Sequence, residues 1–200
     1  MSDTRFPPVG GRQSLDFLNT AHPRHGADRH EGLGDYAAVL DWAAEGGVAV
    51  PSGVAALRRL AADEPLAAAL AHAQVLVFRE SLYGVFVASM GGLRVAAAGL
   101  ASVNAVLRDA TDHHVLVAGP GGGVRDGWAE SDDLAQVLWP LAIDAWDVLT
   151  EAAMDRVREC PGGGGCGRLF LDTSRSGTRR WCDMRTCGNR AKARAHYARG

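Results

Sequence analysis

The sequence predicts a mainly α-helical chain with a small β-hairpin, arranged as a helical body over residues 1–155 and a compact cysteine-held module over 156–200. Three observations predict it. Apolar residues recur at helical spacing through most of the first part. All four cysteines lie between Cys160 and Cys187, with none before. Charge divides along the chain: residues 155–200 hold eleven of the 21 Lys and Arg and four of the 23 Asp and Glu, net +7, whereas residues 1–154 hold the other ten and nineteen, net −9. Twenty of the 21 basic residues are Arg in an Ala- and Gly-rich chain, as GC-rich coding favours, but codon bias does not explain their segregation.

The 200 residues suit one ordinary domain with a small appendage. A hydrophobic fraction of 47% and a charged fraction of 22% exclude wholesale disorder and fibrous structure. Met1 to Pro8 has neither the apolar core nor the cleavage site of a signal peptide. The longest uncharged runs fall short of the roughly 18–20 apolar residues of a membrane span. The expectation is a cytoplasmic protein with no membrane partner.

Leu15 to Thr20 predicts a short first helix, followed by a polar loop containing His22, His25, Gly26 and His30. Tyr36, Val39, Leu40, Trp42 and Ala43 line one helical face that Gly46-Gly47 ends. Ser52 is placed to cap a second helix to about Ala62. A long helix follows over about 64–89, with Leu70, Val75, Phe78, Leu82 and Phe86 inward. Another spans 96–110, with Leu100, Val103, Val106 and Leu107 on one side. His114–Val117 and Val124–Trp128, joined by a Gly-rich turn, predict the hairpin. Ser131 with two Asp residues predicts the start of a helix to about Val157, which Pro140 would kink.

The cysteines follow the order Cys-x5-Cys-x15-Cys-x4-Cys at Cys160, Cys166, Cys182 and Cys187. Borderline-soft Zn2+ is held well by four thiolates in a tetrahedron, and two close pairs separated by a hairpin can supply them. Leu169–Leu171 and Arg179–Trp181 are the expected strands of that hairpin. A knuckle, a hairpin and a helix bearing the last ligand make a treble-clef-like finger with one structural Zn2+. Two disulfides fit poorly with a cytoplasmic chain, and four thiolates leave no open position for a catalytic zinc.

The run Arg179-Arg180-Trp181-Cys182-Asp183-Met184-Arg185-Thr186-Cys187-Gly188-Asn189-Arg190-Ala191-Lys192-Ala193-Arg194 resembles the CGNR zinc-finger family, whose name is spelled by Cys187 to Arg190. Leu15 to Thr20 resembles the start of the ABATE domain that precedes this finger in the family. Five residues separate the first cysteine pair where about four would be usual, a difference the Gly162–Gly165 run can absorb. The resemblance implies a stress-induced transcription regulator, with DNA as partner and no enzymatic activity.

A helix over about 183–199 would place Arg185, Asn189, Lys192, His196 and Arg199 on one stripe, with Met184, Cys187, Ala191, Ala195 and Ala198 against the module. Arg179, Arg180, Arg185 and Lys192 then face phosphates, with Arg190 and Arg194 at another angle. Asn189 either reads a base edge or holds the knuckle. A solvated basic face is the plainer alternative, and RNA or protein remain alternative partners.

Asp16 and Asn19, three apart in an apolar segment, mark either a small-molecule pocket or buried capping. The pocket reading makes the body a ligand sensor or an enzyme with the finger as its lid, and homodimerisation is a further expectation for it. His22, His25 and His30 with Asp28 and Glu31 match no metal motif and read as an ordinary loop. Gly119 to Gly123 lacks a phosphate-loop signature. Trp42, Trp128, Trp139 and Trp146 read as core or contact residues.

Overall fold

The computed structural model describes residues 6–25, 28–49, 51–119, 121–162 and 165–198, with the side chains of Pro51 and Ser52 left aside. The expected Ser52 cap and the Gly26 and Arg199 positions therefore lie outside what is described. Seven α-helices and three two-stranded antiparallel sheets occur among the described residues: α1 (Gln13–Leu18), β1 (Ala21–His22), β2 (His30–Glu31), α2 (Tyr36–Glu45), α3 (Pro51–Asp63), α4 (Pro65–Met90), α5 (Ala97–His113), β3 (His114–Ala118), β4 (Val124–Trp128), α6 (Trp139–Thr150), β5 (Val157–Glu159), β6 (Leu169–Leu171) and α7 (Asn189–Tyr197). None of these helices is long and apolar enough to cross a membrane.

The 26-residue α4 is the axis of the body. Its Val75, Phe78, Leu82 and Phe86 meet Leu15, Phe17 and Leu18 of α1 and Trp139, Leu141 and Val148 of α6 in one core. Each such fully buried side chain contributes about 1.5–3 kcal/mol. A second core joins Tyr36, Leu40, Val54 and Leu57 of α2 and α3 to Ala68 and Ala71 of α4. Asp35 caps α2 by accepting from Ala38 N. Asp144 of α6 receives the start of α1, accepting from Ser14 N and Oγ at 2.8 and 2.5 Å.

Several local expectations change. Leu70 is exposed, because small Ala68 and Ala71 supply the inward face of early α4. Asp133, rather than Ser131, caps a 3-10 turn at Leu134–Leu138. Pro140 sits in the first turn of α6, where its missing N–H costs nothing, and so opens a helix instead of kinking one. Trp139 and Trp42 are core residues, whereas Trp146 is half exposed.

In the C-terminal module, β6 pairs with β5, in the register Val157↔Leu171, Arg158↔Phe170 and Glu159↔Leu169. The expected pairing with Arg179–Trp181 does not form. That segment is fixed instead by Asp172, whose carboxylate accepts from Arg179 N at 2.9 Å and from Ser174 N and Oγ. These bonds, those from Ser174 foremost, hold the Asp172 carboxyl below its usual range. The final helix is also interrupted: a π-turn at Met184–Gly188 precedes α7.

Candidate metal centre and junction cavity

Cys160 directly follows β5 and Cys166 lies in the loop that returns to β6. Cys160 N donates to Arg168 O at 2.8 Å and Gly167 N to Cys160 O at 3.2 Å, which closes a tight knuckle. Gly165 and Gly167 both have positive φ, and a Cβ on Gly165 would stand 1.8 Å from His25 O. A Cβ on Gly162 would stand 2.7 Å from Cys187 Sγ, so side-chain-free backbone is needed beside the sulfurs. The π-turn carries Cys187 inward; Asp183 accepts from Arg185 N at 2.9 Å, and Gly188 N donates to Asp183 O at 3.1 Å.

All four cysteines are buried, and their sulfurs lie within 4.8 Å of one another. Cys166–Cys182 and Cys182–Cys187 are 3.8 Å apart and Cys187–Cys166 3.6 Å. Four sulfurs about 2.3 Å from a central ion would have tetrahedral edges of about 3.8 Å. The donor set fits one Zn2+ ion. Without a cation the thiols restrain one another: hydrogen bonding to Cys160 pushes the Cys166 and Cys182 thiols up, while Cys160 is held down by the bonds it receives. A bound dication would favour the thiolate form of all four and release their protons.

The helical body supplies much of the surrounding shell. His22 Nε2 is 3.4 Å from Cys166 Sγ, in reach to donate to a thiolate. Arg24 N donates to Cys166 O and His25 N to Gly165 O, at 3.0 and 2.9 Å. Tyr83 of α4 donates to Gly167 O at 3.1 Å. His22 and His25 thus serve the cysteine site, and no second cluster of metal-ligating residues forms among the described residues. Arg24 is itself anchored by two bonds to Glu80, at 3.0 and 2.9 Å, and stacks on Tyr83. Fully buried Arg79 binds Glu31, Glu80 and Thr20. Sequence reasoning missed this network, although Arg79-Glu80 inside the apolar run of α4 was its signal.

The basic residues fall into two groups. Arg179 points inward: it donates to the carbonyls of Trp181, Cys182, Leu171 and Val9 and stacks 4.5 Å from the Phe170 ring. Arg180, Arg185, Asn189, Arg190, Lys192 and Arg194 are all exposed. Asn189 holds no knuckle; its Nδ2 donates to Arg185 O at 3.1 Å. The π-turn breaks the expected helical phase between Arg185 and Asn189. Ala195 and Ala198 are exposed rather than packed against the module, because α7 leaves it after its first turn.

Asp16 and Asn19 line one cavity of about 290 Å3, together with Trp42, Val48, His22 and the finger's Arg168. The Asn19 amide is already engaged with the backbone of Leu169. Asp16 accepts from Gly10 N at 2.7 Å, and burial pushes its carboxyl up to about 6 against the opposing amides and the Arg168 charge. Arg168, two residues past a cysteine, was not legible as a cavity residue.

A comparison with curated proteins finds no match. Family comparison matches residues 156–200 to the CGNR zinc finger and residues 11–152 to ABATE, described as "Putative stress-induced transcription regulator". The helical body, the four-sulfur cluster and these two adjoining matches agree: the chain belongs to the ABATE family and ends in a CGNR zinc finger.

Proposed function

We propose that this chain is a transcription regulator that binds DNA through its zinc-ordered finger. One observation carries the reading: α7 has no buried residue and bears Arg190, Lys192, Arg194 and His196 on a helix that projects from the metal-held knuckle. A helix needs a free perimeter to enter the roughly 12 Å major groove. Zinc supplies the fixed crossing of Cys182 and Cys187 from which the helix departs.

Arg180, Arg185, Arg190, Lys192 and Arg194 serve as phosphate ligands that set affinity and register. Exposed Asn189 is available to read a base edge. Arg179 takes a different part, because its guanidinium is occupied by four carbonyls and orders the segment from which Arg180 emerges. The acidic body acts as a regulatory domain rather than an enzyme, and the family description supports that reading.

Fluorescence anisotropy on mixed-sequence duplex DNA tests this. Log affinity is expected to fall against log salt with a slope of about −0.9 per neutralised phosphate. The Arg180→Ala plus Arg185→Ala and Arg190→Ala plus Arg194→Ala double variants are each expected to weaken binding and flatten that slope. Unchanged binding in both would remove the interface, and preference for single-stranded RNA or for a protein would redirect it.

A further inference from the structure

We infer that the 290 Å3 cavity between the helical body and the finger is a binding site for a small aromatic carboxylate, anchored by Arg168. The first support is a buried N–H without an acceptor. The Arg168 Nε is buried with no hydrogen-bond partner, while the residue as a whole is half-buried, and its guanidinium forms no ion pair among the described residues. The other two inward arginines of the junction have carboxylate partners: Arg24, whose Nε also lacks an acceptor, donates from Nη1 to both oxygens of Glu80, and Arg79 forks onto Glu31. A buried N–H left without an acceptor is unfavourable, because its desolvation goes uncompensated. A planar carboxylate engaging Nε and a terminal nitrogen together supplies the missing acceptor through charge-assisted bonds.

The second support is the rest of the lining. Trp42, Phe6 and Val48 give apolar walls suited to a ring. Asp16 and Glu45 also line the cavity and disfavour a ligand of higher negative charge, such as a phosphate dianion. Asp16 feels the Arg168 charge but forms no ion pair with it, its Oδ1 accepting from Gly10 N instead. The volume lies at the lower end of the about 300–1,000 Å3 range of small-molecule sites, which limits the ligand to about one ring with a short acidic arm.

Position gives the site a consequence. Arg168 belongs to the finger and precedes Leu169, which Asn19 of α1 grips. A carboxylate held between Arg168 and the α1–α2 wall therefore adds to the contact between body and finger. Its effect on DNA affinity rests on the function proposed above, but its binding does not.

The test uses the full-length, zinc-loaded chain with benzoate and phenylacetate as probes and neutral benzamide as the matched control. Ligand at about 1 mM is expected to shift the NMR signal of the Arg168 Nε–H and to raise the melting temperature, with benzamide doing neither. Arg168→Gln is expected to weaken benzoate at least about tenfold, the loss of a charged hydrogen bond. Val48→Trp, which fills the cavity and keeps the arginine, is expected to abolish binding. Should Arg168→Gln fail to fold, the wild-type NMR comparison decides. The inference is overturned if neither carboxylate moves the Arg168 signal more than benzamide does, or if Val48→Trp binds benzoate as well as wild type. None of these readings involves DNA, so failure of the ligand site and failure of the DNA interface are told apart.

Discussion

Asn19 and Leu169 close a reciprocal pair of hydrogen bonds: Asn19 Nδ2 donates to Leu169 O at 2.8 Å, and Leu169 N donates to Asn19 Oδ1 at 2.9 Å. They are 150 residues apart in sequence, and the pair is buried. An amide side chain thus takes the place of a neighbouring strand along β6 and ties the first helix to the zinc finger. Val157 and Leu169, from the finger's own strands, lie in the main core of the body. The finger's hairpin is therefore built into the fold, while α7 projects from it.

Removing the amide leaves a buried N–H and a buried C=O unpaired, each costing about 1–3 kcal/mol. Asn19→Ala is expected to lower unfolding free energy by about 3 kcal/mol, measured by urea denaturation of the zinc-loaded chain. A change below about 0.5 kcal/mol, the usual size for a surface substitution, would show that the pair carries little of the junction.

Because the hairpin shares the body's core, metal loss should reach beyond the finger. Chelation, or Cys166→Ser, is expected to lower the melting temperature of the whole chain and to loosen Tyr83 and Arg24, which bind the knuckle backbone. Hydrogen exchange confined to residues 156–198 after zinc removal would contradict this coupling.

Arg79 neutralises Glu31 and Glu80 from a fully buried position. Arg79→Ala leaves two partly exposed carboxylates without that partner, Glu80 keeping Arg24 and Arg29, and is expected to cost about 1–3 kcal/mol. Arg79→Met together with Glu31→Gln should recover part of the loss, as read by thermal and denaturant melts.

Burial holds the Asp16 carboxyl at about 6 in the fold against 3.8 for a free aspartate. Its protonated form is thus favoured by folding. The stabilising contribution is complete below about pH 3.8 and is lost as pH rises through about 6. NMR titration should show a midpoint near 6 for Asp16, and Arg168→Ala should move it higher, because the arginine opposes the shift. A midpoint near 4 would mean that the carboxylate is well solvated.

The helical body was legible because its core stripes have a strong period, and the metal site because four cysteines cluster in 28 residues. What sequence could not give was long-range. Nothing near Asn19 names Leu169, and nothing near Arg168 shows that a cavity closes over it. Local geometry also misled at Arg179, whose basic character suggested phosphate but whose neighbours offer four carbonyls. The β5 strand was hidden because Val157-Arg158-Glu159 looks like the end of a helix until Cys160 and Leu169 fix its partner. At Met184–Gly188 the one-residue widening of a π-turn displaced every facial assignment beyond it.

X-ray absorption at the zinc edge of the freshly purified, reduced chain tests the central claim most directly. One zinc per chain with four sulfur neighbours at about 2.3 Å is the expected result. Less than stoichiometric zinc, or a first shell containing nitrogen or oxygen in place of sulfur, would contradict it.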